Sequence, residues 1–92
     1  MSVEHYKLAL RGRVQGVFFR ASAQKMAKKL GISGTVKNTA AGDVEFIAIG
    51  EHQAMQDFIH WCHKGSLPAK VTKVIAEPLV DSVEYTGFMI KH

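Results

Sequence analysis

The sequence contains a single cysteine, Cys62, only two prolines, and no repeat, low-complexity tract or Pro/Gly-rich linker. One cysteine excludes an intrachain disulfide and a cysteine-based metal cluster, so the fold must depend on packing. No apolar run approaches the roughly 20 residues that span a bilayer. The first residues also lack the basic and apolar regions of a secretory signal. For a chain of 92 residues, we therefore expect one cytoplasmic domain, covering residues 1–92, with no membrane partner.

Charge and composition narrow the class of partner without choosing one. The hydrophobic share is 47%, the charged share is 22% and the formal net charge is +4. These values are ordinary for a globular protein and favour anionic partners. Nucleic acid, acidic membrane surfaces and small phosphorylated metabolites all remain compatible with that charge.

The spacing of apolar residues predicts alternating strands and helices. Period-two alternation indicates strands, helical spacing indicates helices, and Gly31 and Gly65 are typical helix ends. The predicted elements are a strand over 5–13, a helix from about 20 to 30, strands over 34–39 and 44–49 joined by a turn at 40–43, a helix over 51–64, a strand over 70–78 and an edge strand over 88–90.

This order, β-α-β-β-α-β, predicts an α+β fold of the ferredoxin-like type. Right-handed crossovers place both helices on one face of a four- to five-stranded antiparallel sheet. Because this topology hosts many unrelated functions, function has to be inferred from a site.

A candidate anion-binding segment joins the first strand to the first helix. Gly12 and Gly16 allow the backbone to turn sharply, and the helix N-terminus that follows supplies N–H groups with partial positive charge. Arg20 adds a guanidinium that can bind two phosphate oxygens. These features indicate a phosphate cradle, but a glycine-rich turn before a helix is also common in proteins without one.

Asn38 is the second candidate, because asparagine is disfavoured within strands. Its amide either turns to solvent or approaches the 12–20 segment from the second strand.

Both segments resemble the signatures of the acylphosphatase family. The first signature, Gly-x-Val-Gln-Gly-Val-x-Phe/Tyr-Arg, is matched at every fixed position by residues 12–20. The second, Gly-aromatic-Val-x-Asn followed by a glycine four residues later, is matched by Gly34, Val36, Asn38 and Gly42. Length and element order also agree over nearly the whole chain. Thr35 departs from the pattern, which usually has an aromatic there, so we expect local packing or access to the site to differ.

The resemblance implies an enzyme that hydrolyses acyl phosphates to a carboxylate and inorganic phosphate. Arg20 would bind the phosphoryl group together with backbone N–H groups, and Asn38 would orient the attacking water. The implied phosphate-binding residues are Gln15, Gly16, Val17, Phe18, Phe19 and Arg20. The motif has no Cys, Asp or His nucleophile, which favours direct attack by water. No metal or other cofactor is needed, because arginine and amides supply the positive field.

The implied partners are a small acyl phosphate substrate and an inorganic phosphate or similar anion in the loop. No sequence feature selects one acyl group, so we expect broad acceptance. A monomer is expected, since no heptad seam or large uncovered helix face is evident.

Two other classes of function remain as alternatives. One is a ferredoxin-like regulatory domain that binds a phosphorylated ligand without turnover. The other is an RNA-binding module that uses Lys25, Lys28 and Lys29. The aromatic motif of such modules is missing, and these lysines fit a solvated helix face, so we expect no nucleic-acid partner.

His60 and His63 lie three residues apart on the second predicted helix, so together with Cys62 they are candidate metal ligands. Cys62 falls on the apolar stripe of its helix, so we expect no metal site there.

Overall fold

The computed structural model of the protein describes residues 3–14, 17–65, 70–80 and 85–91, with the side chains of residues 17 and 18 excluded. The elements are β1 (Val3–Arg13), α1 (Val17–Leu30), β2 (Ser33–Asn38), β3 (Val44–Glu51), α2 (His52–Lys64), β4 (Lys70–Pro78) and β5 (Phe88–Ile90).

The five strands form one sheet in the order β4-β1-β3-β2-β5. Neighbouring strands are antiparallel except β2 and β5, which are parallel. The ferredoxin-like α+β prediction is confirmed, but the sheet is mixed rather than wholly antiparallel. The difference arises where β4 ends: the Leu79 N–H donates to His5 O at the end of the sheet where β2 begins. Because β5 starts from that end, it runs in the same direction as β2.

The core lies between the sheet and the two helices. Leu8 and Val36 flank Phe46 in register on one sheet face, and both helices pack against that face. α1 covers β2 and β5, while α2 covers β4, β3 and β1. The buried apolar side chains include Leu8, Leu10, Val14, Phe19, Ala23, Ala27, Val36, Val44, Phe46, Met55, Phe58, Cys62 and Phe88. The apolar residues whose helical spacing predicted the two helices therefore form their buried faces.

The first helix begins earlier than predicted. The sequence places its start near Arg20, whereas α1 begins at Val17. The residue before Val17 is Gly16, which is a weaker N-cap residue than Ser, Asp or Asn, so the local sequence marks this helix start only weakly. Arg20 consequently lies within the first turn.

Gly12 belongs to β1, within the strand predicted over 5–13, but it forms a bulge instead of the sharp turn that was expected there. The register between β1 and β4 shifts at Arg11 and Gly12, which marks a β-bulge. Gly12 has φ +127°, and a Cβ there would collide with Lys70 O. The glycine is therefore required by the close approach of β4.

Candidate active site

The ends of two strands and the start of one helix lie at the same end of the sheet. β1 and β2 both finish there, because each is antiparallel to β3, which begins there. α1 follows β1 across a short connection, so its N-terminus lies at this same end. The carboxyl ends of two strands and the positive end of a helix dipole are thereby gathered in one region.

Arg20 is held in this region by its neighbour Phe19. The Phe19 ring is buried, stacks on Trp61 at a centroid distance of 5.7 Å and meets Phe46 edge-on at 6.4 Å. These contacts fix the first turn of α1 against α2 and β3. Arg20 itself is half-buried. The first turn has no acidic residue. No carboxylate of that turn therefore offsets the partial positive charge of its backbone N–H groups.

Asn38 lies at the end of β2, at the same end of the sheet as the start of α1. Side chains alternate along a strand, and Val36, two residues earlier, is fully buried beneath the helices. The cross-strand partner of Asn38 is Val44, which is also buried in the core. Asn38 therefore projects from the helix-covered face, where its side chain is exposed beyond the edge of the core.

The turn after Asn38 is tied by three hydrogen bonds. The Thr39 N–H donates to Asp43 O at 2.8 Å, the Gly42 N–H donates to Thr39 O at 3.1 Å, and the Asp43 N–H donates to Thr39 Oγ1 at 3.2 Å. Asp43 also forms an ion pair with Arg11 of β1 at 3.5 Å. The end of β2 is thus fixed both to β3 and to β1.

The centre of the predicted phosphate loop falls outside the described residues. Gln15 and Gly16 lie there, and of Val17 and Phe18 only the helical backbone is described. Their assignment to phosphate binding therefore remains a prediction.

The residues considered for a metal site do not converge. His60 and His63 are exposed on α2, whereas Cys62 is buried in the core. Burial raises the pKa of the Cys62 thiol far above its ordinary value, because the charged thiolate would lose its hydration. Within residues 3–14, 17–65, 70–80 and 85–91, no group of three or more His, Cys, Asp or Glu side chains could hold a metal ion. In the same ranges, no helix is long and apolar enough to cross a membrane.

Comparisons with known proteins agree with this arrangement. The family model described as Acylphosphatase matches residues 6–90. The chain belongs to the acylphosphatase family. An acylphosphatase of Marinobacter nauticus is 38% identical over 92 residues, which cover all of both chains. The solved acylphosphatase structure from Bacillus subtilis has a TM-score of 0.91 at 34% identity and covers 99% of this chain and 100% of that one. The Coxiella burnetii structure has a TM-score of 0.90 at 36% identity, covering 97% and 93%.

This membership confirms the predicted activity: the protein is an acylphosphatase that acts as a hydrolase on acyl phosphates.

Thr35, the departure from the acylphosphatase pattern, lies away from Asn38. It alternates with Val36, and its register partners are Ile47 and Met89, so it occupies the sheet face opposite the helices. Thr35 is only 4% exposed. The neighbouring Gly34 has φ +140°, and a Cβ there would clash with Ile47 O. The substitution at Thr35 therefore changes packing on the far face of the sheet rather than the lining around Asn38.

Sequence reasoning missed the residues that support the two candidate side chains. Thr39 and Asp43 hold the turn beside Asn38, and Trp61 supports Phe19 beside Arg20. The Thr39–Asp43 spacing across a predicted hairpin turn carried a signal, since threonine and aspartate side chains often bond to turn backbone. The Phe19–Trp61 contact carried none, because it joins two elements distant in sequence.

Proposed function

We propose that this acylphosphatase cleaves the carboxyl–phosphate bond by direct attack of water. In this proposal, Arg20 and the backbone N–H groups of residues 15–20 hold the phosphoryl group, and Asn38 orients the water. The observation that carries the proposal is positional. Arg20 lies in the first turn of α1, and Asn38 projects from the helix-covered face at the same end of the sheet.

The role of Arg20 follows from the negative charge on the phosphoryl oxygens during the reaction. Phosphoryl transfer depends mainly on positioning and on stabilising charge on the equatorial oxygens. A planar guanidinium can bind two of those oxygens at once. The first N–H groups of α1 have no intrahelical partners and can bind others. Arg20 is half-buried, and the neighbouring Phe19 ring holds its backbone in place. The guanidinium therefore loses less conformational entropy when it binds phosphate.

The role of Asn38 is to place the nucleophile. Its amide has both an acceptor and donors, so its oxygen can accept a hydrogen bond from a water molecule while its NH₂ group donates one to a phosphate oxygen. The carboxylate of an acyl phosphate leaves readily and needs little general-acid help. A substrate phosphate oxygen can take the proton from the water, so the scheme needs no separate base.

We also propose which anion the loop binds, how broad the substrate range is, and where and in what oligomeric state the protein works. Inorganic phosphate or a similar anion occupies the loop as product, and acceptance of acyl groups is broad. The protein works as a cytoplasmic monomer, with residues 1–92 acting as one domain. Arginine and backbone amides supply the positive field, so the scheme uses no metal.

The test is hydrolysis of benzoyl phosphate by the purified protein in the presence of EDTA. We expect rapid release of phosphate by the wild type and none above background by Arg20→Ala. Arg13→Gln is the matched control, because Arg13 is an exposed arginine that ends β1 at the same end of the sheet. That variant should retain most of the activity.

Phosphate binding without turnover by a folded wild type would instead support a ligand-binding domain. Equal loss of activity in Arg13→Gln and Arg20→Ala would mean that general positive charge, rather than a specific clamp, is responsible.

A further inference from the structure

The two flanks of α1 face different parts of the protein. Successive helical residues are rotated by about 100°, so Arg20 and Gln24 lie on one flank and Ser22 and Met26 on the other. Gln24 Nε2 donates to Phe88 O at 2.8 Å, so the first flank faces β5. The second flank faces α2 across a groove of about 290 Å³. This groove is therefore on the side of α1 away from Arg20.

The groove combines apolar surface with positive charge. We call it the Trp61 groove, and its lining residues are Ser22, Lys25, Met26, Lys29 and Trp61. Four of the five come from α1, and Trp61 comes from α2.

The Trp61 ring is held in place by the core. It stacks on Phe19 at 5.7 Å with an interplanar angle of 26°, and on Phe58 at 6.1 Å with an angle of 16°. A ring fixed in this way loses little conformational entropy when a ligand packs against it. Trp61 thus provides a rigid aromatic surface at the groove.

The two lysines of the groove are not neutralised by the described part of the chain. Lys7, Lys37, Arg11 and His52 form ion pairs within the described residues, whereas Lys25 and Lys29 form none there. Asp57, one turn before Trp61 on α2, instead accepts a hydrogen bond from Gln53 at 3.0 Å. Lys25 and Lys29 are four residues apart on one helix, an arrangement in which like charges repel. An anion between them would relieve that repulsion.

We propose that the Trp61 groove binds a small aromatic anion. Its ring packs against Trp61 and Met26, and its acidic group lies between Lys25 and Lys29. Methionine sulfur and the indole ring both favour aromatic contacts. The groove volume lies near the lower end of small-molecule sites, which are roughly 300–1,000 Å³, so it suits one or two rings. The ligand class is an aryl carboxylate, sulfonate or phosphate.

The probe is naphthalene sulfonate, whose charge is fixed and whose sulfonate group is not transferred. Trp61 is the single tryptophan of the chain, so its indole N–H gives one resonance in a nitrogen–proton correlation spectrum. We expect saturable movement of that resonance during titration. Methanesulfonate, which lacks the ring, and naphthyl methanol, which lacks the charge, should each move it much less at the same concentration.

The lysine variants provide the decisive comparison. Each of Lys25→Gln and Lys29→Gln should weaken binding about threefold, and the double variant about tenfold, as expected for exposed charge pairs. Lys28→Gln is the matched control. It removes the same charge from the same helix turn but does not line the groove, so its affinity should equal that of the wild type.

Binding and catalysis are separated by two further measurements. Arg20→Gln should bind the probe with unchanged affinity, because Arg20 lies on the other flank of α1. The Lys25 and Lys29 variants should hydrolyse benzoyl phosphate at the wild-type rate. The proposal is overturned if the indole resonance does not saturate, if Lys28→Gln weakens binding as much as Lys25→Gln, or if Arg20→Gln abolishes binding.

Discussion

Trp61 stacks on Phe19 with a centroid distance of 5.7 Å, and Phe19 immediately precedes Arg20 in the first turn of α1. The last turns of α2 thereby support the backbone that presents the arginine. Phe19 is 3% exposed, so it cannot shift without disturbing the core.

Phe19→Leu should therefore lower both stability and activity. Loss of ring contacts in a packed core should reduce the free energy of unfolding by about 1–3 kcal/mol. The first turn of α1 should then be less well positioned, which lowers kcat for benzoyl phosphate. Denaturant unfolding and steady-state kinetics measure the two effects. Phe88→Leu is the control: Phe88 is equally buried but lies in β5, so it should lose similar stability and less kcat.

Substitutions of Arg20 and Asn38 should impair catalysis in different ways. Arg20→Ala should abolish inhibition by inorganic phosphate and lower kcat/KM by about 10³-fold or more, because it removes the charged clamp. Asn38→Ala should lower kcat by about 10²–10³-fold while phosphate inhibition stays near wild type, because the amide acts on water. Arg20→Lys should restore only part of the loss, since an ammonium is not a planar fork. Equal loss of phosphate inhibition in the Arg20→Ala and Asn38→Ala variants would contradict this division of roles.

Gly12→Ala should destabilise the protein more than Gly31→Ala. Both glycines have positive φ, so both substitutions carry backbone strain of about 1 kcal/mol. At Gly12 the new methyl group would also collide with Lys70 O, whereas at Gly31 it meets nothing within 4 Å. We expect the Gly12 variant to lose at least about 2 kcal/mol more in denaturant unfolding. Equal losses would show that β4 moves aside without cost.

Cys62 should make stability fall at alkaline pH. Burial raises the pKa of its thiol in the folded state, while an unfolded thiol has a pKa of about 8.5. The unfolded chain then binds fewer protons than the folded chain above that pH. The buried neutral thiol therefore contributes fully to the free energy of unfolding below about pH 8.5. Above that pH its contribution is lost, by up to about 1.4 kcal/mol per pH unit.

The measurement for Cys62 is the free energy of unfolding between about pH 7.5 and 10.5, compared with Cys62→Ala. Lysine and tyrosine titrations affect both proteins alike, so the difference in slope reports the thiol. The variant should show the shallower fall, and parallel curves would refute the assignment. Thiol reagents should also react slowly with the native wild type and rapidly after unfolding.

Thr39→Val should loosen the turn beside Asn38. The substitution keeps the side-chain shape but removes the oxygen that accepts from the Asp43 N–H at 3.2 Å. We expect a loss of about 1 kcal/mol in stability together with a lower kcat and little change in phosphate inhibition, because Asn38 rather than Arg20 is affected. Thr39→Ser, which retains the hydroxyl, should recover most of kcat.

Much of the fold was predictable because its signals are local. Alternation along β1, the stripes of α1 and α2 and the stop at Pro78 each reflect one element facing one core. Gly65 ends α2 as predicted, with φ +67° and its N–H donating to Trp61 O. The parallel entry of β5 was not predictable, since it depends on which sheet edge receives the chain after Leu79.

The sequence names the two candidate residues, whose roles remain predictions, but it does not fix their relative position. The motif matches pointed to Arg20 and Asn38, yet no local pattern shows that they share one end of the sheet. The position of Gly12 shows the same limit. Its close approach to Lys70 joins residues far apart in sequence, whereas the sequence predicted only a sharp backbone turn at this glycine. Contacts of this kind become visible only when the register of the sheet is known.

The strand order also determines how the protein must fold. β1 lies between β3 and β4, so its register partners come from distant parts of the chain, including Val44 and Val74 for Leu10. Closing such long loops lowers the chain entropy before stabilising contacts form, so folding through non-local pairs is slow. The β2–β3 hairpin has only a short turn to close and can form early, with Asn38 at its tip. Completion of the sheet around β1 must wait until β4 has been synthesised.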